Sequence, residues 1–175
     1  MNATLIDDLI RSRRTHKAFG SDPVPSDVLL ELFELARWAP NHHLTDPWRF
    51  RVVGPQARDA LKQAAEEYKP GSGSKLDRAP TLIVASAKQT GDADQDHEDV
   101  LASAVAAYIV LLGAHARGLA GYWRTIPVLA TPAGRAATRL PDDELPIGLL
   151  HLGDPRQEQR IPERAPVEEI AIFLD

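Results

Sequence analysis

The sequence predicts an α+β protein, with helices packed against a sheet whose strands do not alternate regularly with them. Three observations lead there. Apolar residues recur at helical spacing in several stretches, five short runs read as strands bounded by Gly, Pro or polar residues, and neither a βαβ rhythm nor a GxGxxG turn is present. A chain of 175 residues, 43% apolar and 26% charged, suits one domain over residues 1–175 with a single buried core.

Leu5, Ile6, Leu9 and Ile10 share one helical face, so a short amphipathic helix runs into Arg11-Ser12-Arg13-Arg14. Pro23-Val24-Pro25 is extended, and Ser26 stands where an N-cap belongs. Val28, Leu29, Leu32, Phe33 and Ala36 mark the buried face of the second helix. Pro40 and Pro47 bracket an irregular loop over 41–46, and 48–53 alternates like a strand that stops at Gly54-Pro55. A polar helix over 56–68 leads into a mobile loop at 69–75. Residues 81–87 form a buried strand, followed by an acidic loop over 91–96. A long helix over 98–117 opens with acids and closes at Gly118, the polarity that the helix dipole favours. Its small residues between 102 and 107 allow another helix close approach. Residues 120–124 are a short strand, and Thr131-Pro132 starts a helix. Residues 147–152 are an apolar strand ended by Gly153-Asp154-Pro155, and 170–174 is a strand with no hairpin partner nearby.

Composition removes whole classes of function. A net charge of −5 argues against a general nucleic-acid binder, which needs a dense basic footprint. The absence of cysteine excludes disulfides, thiolate metal sites and a cysteine nucleophile, and fits a reducing cytoplasmic setting. Asp7 and Asp8 stand where a signal peptide carries its basic region. The longest apolar stretch, 100–114, is too short to cross a bilayer and contains Ser103 and Tyr108, so it reads as a buried helix and no membrane partner is expected.

Three segments carry candidate chemistry. Arg13-Arg14-Thr15-His16-Lys17 offers two guanidiniums, a hydroxyl and an ammonium to a phosphate, or else cations that complement a helix C-terminus. The loop from Asn41 through His42, His43, Leu44 and Thr45 to Asp46 offers imidazole, amide, hydroxyl and carboxylate groups. No metal site is expected there, because adjacent histidines do not easily point the same way and HExxH is absent. Gly118-Leu119-Ala120-Gly121-Tyr122-Trp123-Arg124-Thr125 suits either close approach to a flat ring or a tight turn with a core Trp. Gly71-Ser72-Gly73-Ser74-Lys75 lacks the spacing and preceding strand of a phosphate loop, and His97-Glu98-Asp99 reads as an acidic helix start.

In this order and at these distances the segments resemble the FMN-dependent nitroreductase family, in its compact branch. Arg13 to Phe19 is similar to the family's R-[RH]-[ST]-x-[RK]-x-F motif, and Ala39-Pro40 to Phe50 to its A-P…Q-P-W-x-F segment. Gly118 to Thr125 is similar to G-[LF]-x-x-x-W, Leu152-Gly153-Asp154-Pro155 to L-G-x-P, and Arg164-Ala165-Pro166-Val167-Glu168-Glu169 to the basic R-x-P-L-E-E tail. The resemblance implies a nitroreductase-like mixed sheet flanked by helices, in an intertwined homodimer with an exchanged C-terminal strand and FMN at the subunit interface. It further implies NADH or NADPH as donor, hydride passing through flavin N5, and a nitroaromatic, quinone or similar small acceptor reduced in a ping-pong cycle. No side-chain nucleophile is required, because the cofactor carries the chemistry. A flavin storage or sensor protein, or a relative that dehalogenates or fragments flavin, is the alternative.

By position in these motifs Arg13, Arg14, Thr15 and Arg164 hold the phosphate and ribityl end, and Lys17 lies near flavin N1 and O2. His42 and Asp46 approach from the second segment, and Trp123, Arg124 and Thr125 from the third. Two positions depart from the family pattern: Leu44 stands where an Asn contacts flavin, and Asp46 where Gln is usual. A carboxylate beside the ring disfavours negative charge on it.

Overall fold

The computed structural model describes residues 3–174. Four strands, β1 (Trp48–Val52), β2 (Thr81–Lys88), β3 (Ala120–Arg124) and β4 (Glu144–Gly153), form one sheet in the order β1-β2-β4-β3. Five α-helices surround it: α1 (Ala3–Ser12), α2 (Ser26–Ala36), α3 (Pro55–Tyr68), α4 (Ala93–Ala116) and α5 (Pro132–Thr138). All three strand pairs are antiparallel, so the four strands of this chain do not form the mixed sheet expected. Among the described residues, the one parallel pairing is the isolated bridge from Thr15 to Gly121.

Residues 81–87 of β2 are all buried, which a strand covered on both faces requires. Because side chains alternate across a strand, the apolar run feeds two cores at once. Leu82, Val84 and Leu149 meet Leu61, Ala64 and Ala65 of α3 together with Leu76 and Leu129. Ile83, Ala85, Leu150 and Leu152 meet Leu29 and Leu32 of α2 and Ala106, Ala107, Val110 and Ala114 of α4. Each fully buried Leu or Ile contributes about 1.5–3 kcal/mol. The small side chains of α4 let it lie close on the sheet. By length and composition α4 could cross a membrane, yet half of its apolar window is buried inside the protein. Burial, not the shortness inferred from 100–114, identifies it as the core helix.

Several boundaries differ from expectation for local reasons. Pro25, not Ser26, is the N-cap of α2, since its extended backbone (φ −57°, ψ 147°) precedes the first helical residue and its carbonyl accepts from the Leu29 N–H at 3.0 Å. α4 starts at Ala93, within the expected acidic loop, because the Asp92 side chain caps it by accepting from the N–H groups of Asp94 and Gln95. β4 begins three residues early: Pro146 cannot donate to a ladder, but it pairs with Ser86 beside a bulge, where the pairing tolerates it. The end of the 69–75 segment is part of a 3₁₀ turn (Gly73–Asp77). The Glu66 carboxylate accepts from Gly71 N–H at 2.7 Å and Gly73 N–H at 3.1 Å, and Leu76 of that turn is buried. Residues 170–174 were expected to be a strand; over 170–174, the described residues of this chain adopt none. A 3₁₀ turn (Val167–Glu169) precedes an exposed tail, with Phe173 96% accessible.

One ionic contact crosses the sheet. Arg51 of β1 donates from Nη2 to Glu144 Oε1 at 2.7 Å and from Nη1 to Oε2 at 2.5 Å, and Ser86 donates to the same carboxylate. Burial raises the Glu144 pKa, but the hydrogen bonds from Arg51 and Ser86 outweigh it and the net shift is downward. Removing one partner strands the other in the interior. Arg51→Met is therefore expected to cost about 3 kcal/mol by urea denaturation. A loss within about 0.5 kcal/mol, the usual range of surface changes, would contradict the buried pair.

Candidate functional site

The first and third segments meet. The His16 N–H donates to Gly121 O at 3.1 Å, and Thr15 bridges Gly121, so the Arg13–Lys17 stretch lies along the outer edge of β3. The next residues pair with the turn after β4: Phe19 bridges Pro155, and the Gly20 N–H donates to Asp154 O at 2.8 Å. Arg13 lies over the Tyr108 ring of α4, 5.9 Å from its centroid, and its Nε is buried without a hydrogen-bond partner. Arg14 is used differently. Its Nη1 donates to the carbonyls of Arg11 and Arg13 at the C-terminal end of α1. Thr15 and Lys17 are exposed.

Trp123 is partly buried. Its ring packs into the core face lined by α2 and α4, and its Nε1 donates to Ile147 O at 3.1 Å. It lies so tightly over Gly148 that a Cβ there would fall 2.1 Å from Nε1. Its side chain is thus a structural support for β3. Arg124 points to the other face, where its Nη1 is buried and unpartnered, and Thr125 is exposed.

Arg124 helps line a cavity of 330 Å³ with Lys69, Ser72, Lys75, Ile126 and Val128. Sequence reasoning missed Ser72 and Lys75, because it tested 71–75 only as a phosphate loop. The signal available was the Leu76-Asp77 continuation, which seats the turn on the core. Three cations line the cavity and no acid does, so it suits a ligand rich in acceptors or negative charge.

His151 lies behind this wall. Fully buried on β4 opposite Tyr122, with ring centroids 5.5 Å apart, it has no hydrogen-bond partner at either nitrogen. Burial, then the charges of Arg124, Arg78 and Arg58, lower its pKa from 6.5 to about 4. It is neutral at pH 7 and adds no charge to the arginine cluster.

The second segment lies elsewhere. His42 Nδ1 is 2.7 Å from Glu98 Oε2, and Thr45 donates to the buried carboxylate of Asp99 at 2.6 Å. Glu98 and Asp99 are therefore loop anchors in the second turn of α4, not a helix start. Asp46 is exposed, with a left-handed backbone (φ 46°) fixed by its N–H donating to Asn41 Oδ1 at 2.7 Å. Contrary to expectation, His42 and His43 do point the same way, with ring centroids 3.8 Å apart. The left-handed backbone of His43 (φ 61°) turns its side chain back beside its neighbour. Glu98 under this loop and Tyr108 under Arg13 are ten helical steps apart, about 15 Å along the axis. Arg164 is exposed on the tail and joins neither group.

The sequence and the fold both have known relatives. The sequence model of the Nitroreductase family matches residues 10–154. YfhC of Bacillus subtilis, whose name describes an NAD(P)H nitroreductase, is 27% identical over 95% of this chain and 92% of its own length. A nitroreductase-like family protein from Bacillus cereus superposes with a TM-score of 0.88 at 26% identity, covering 100% of this chain and 98% of that one. The FMN-dependent nitroreductase NfnB from Mycobacterium smegmatis, solved in complex with NADPH, shares the fold with a TM-score of 0.79 at 21% identity over 99% of both chains.

The buried, unpartnered His151 generates a pH prediction. Its folded pKa lies below its unfolded value, so below pH 6.5 the unfolded chain binds more protons. Stability is full above pH 6.5 and falls as pH drops toward 4, by roughly 3 kcal/mol from this residue. His151→Leu should flatten that limb of the stability–pH curve measured by urea denaturation. An unchanged slope between pH 6.5 and 4 in the variant would contradict this assignment.

Proposed function

Because the chain belongs to the nitroreductase family, whose sequence model covers residues 10–154, we propose that it is an FMN-dependent oxidoreductase. In this reading it acts as one cytoplasmic FMN-binding domain and passes hydride from NADH or NADPH to a nitroaromatic, quinone or similar small acceptor. Donor and acceptor occupy the same place in turn. The observation that carries the reading is a pair of buried guanidinium nitrogens without partners, Arg13 Nε and Arg124 Nη1, on segments bridged at Thr15 and Gly121. Buried donors are nearly always satisfied, so two orphans on adjoining segments fit an anionic, acceptor-rich ligand such as FMN.

When bound, FMN supplies the ring that accepts and donates hydride. The chain supplies binding and charge. Arg13 and Thr15 hold the phosphate and ribityl end, with Arg164 closing on it, while Arg14 supports the end of α1. Lys17, Lys75 and Arg124 are the cations available to the pyrimidine edge, and a cation there favours negative charge on the ring. His42 and Asp46 come from the loop on α4. Since that loop lies about 15 Å along α4 from Arg13 in one chain, we assign it to the partner's site, in a homodimer.

The uncovered apolar surface supports that assembly. Leu5 of α1 is 68% exposed, and Ile172 and Phe173 of the tail are exposed almost completely. β1 has an open outer edge, while that of β3 is partly covered by Thr15 and His16. We place the partner's 170–174 segment on the edge of β1.

The purified protein is expected to be yellow, with one noncovalent FMN per chain identified after heat release. Arg13→Ala removes a charge-assisted bond worth about 1.5–3 kcal/mol and should weaken FMN at least tenfold. Truncation after Pro166 should abolish both dimer and flavin. Released FAD, unaltered affinity in the Arg13 variant, or a monomeric truncation that keeps its flavin would each contradict the proposal.

A further inference from the structure

His42, His43 and Glu98 present three ligand atoms within 4.8 Å of one another, on residues that are all exposed. We propose that they form a site for a first-row transition-metal ion of the zinc type, held by two imidazole nitrogens and one carboxylate oxygen, with water completing the shell. Two imidazoles and a carboxylate are a donor set that such ions accept and that calcium or magnesium does not favour.

The geometry is largely assembled. Zinc bonds of about 2.0–2.2 Å in a tetrahedron separate ligand atoms by about 3.3 Å, so the present spacing needs only modest closure. Exposed side chains can make it by rotation. The contact from His42 Nδ1 to Glu98 Oε2, at 2.7 Å, is where the ion would replace a shared proton. His43 Nδ1 or Nε2 then provides the third bond, its ring already lying beside that of His42.

The scaffold that holds these donors is independent of them. Asp99, 1% exposed, accepts from Thr45 Oγ1 at 2.6 Å and from Gln95 Nε2 at 2.9 Å. Asn41 adds bonds to Thr45 and to the backbone of Asp46. A buried carboxylate thus pins the loop to α4 one residue beyond Glu98, so both histidines are positioned over the helix without needing the metal. Pre-positioned ligands lose less freedom on binding an ion. An occupied site would tie the 41–46 loop to α4 at a second point.

The test uses the intact holoprotein, stripped of adventitious ions and titrated calorimetrically with zinc in a non-coordinating buffer. One ion per chain is expected, in the micromolar range. His43→Ala and Glu98→Gln should each weaken it at least tenfold while leaving the fold intact by circular dichroism. Copper(II) bound at the same place should give an electron paramagnetic resonance spectrum with two coupled nitrogens in the parent and one in His43→Ala. No binding at millimolar zinc, binding unaffected by either substitution, or sensitivity to only one of them would overturn the three-ligand site.

Discussion

Burial of β2 and β4 on both faces is the constraint from which the rest of the structure follows. Ile83, Leu82, Leu149 and Leu150 are completely inaccessible, and they face opposite sides in alternation. α2 and α4 must cover one face while α3, α5 and the 3₁₀ turns cover the other. Among the described residues, the buried stretches of β2 and β4 leave no room for a ligand on either face. Chemistry is confined to the rim: the edge of β3, the Arg13–Lys17 stretch beside it, and loops pinned to helices.

The same constraint explains which parts of the fold were legible in the sequence. Most of β2 is apolar, from Leu82 through Ala85, which marks it as an interior strand. α2 shows a clean apolar face at Leu29, Leu32 and Ala36, and its position followed even though its cap did not. The misread features depend on single contacts that periodicity does not encode. Asp92 caps α4 because its side chain reaches two backbone N–H groups, and Pro146 stays in β4 because a bulge lies opposite. The 69–75 segment has the composition of a loose linker, yet Glu66 and Leu76 fasten it.

The candidate site was legible in its segments more than in its side-chain roles. Pairing of Thr15 and His16 with Gly121 brings two of the three motifs together. Within them, Arg14 serves the end of α1 and Trp123 serves the core, choices made by packing that residue type alone leaves open. Lys75 and Ser72 join Arg124 only through the tertiary fold. His43 is the sharpest case: a left-handed backbone reverses the usual divergence of neighbouring side chains, and no residue-type preference announces it.

Apolar side chains on α1 and the tail remain uncovered, and the motif loop at His42 lies about 15 Å along α4 from Arg13. A cofactor site shared between two chains reconciles both facts. Subunit complementation tests this most directly. A chain carrying Arg13→Ala and Arg124→Ala is co-expressed with one carrying His42→Ala and Asp46→Ala, each pair expected to be flavin-free and inactive alone. In a mixed dimer with shared sites, one site collects all the lesions and the other has none, so one flavin per dimer and NAD(P)H oxidation should return. Mixed dimers that remain colourless and inactive would contradict a site built from two chains.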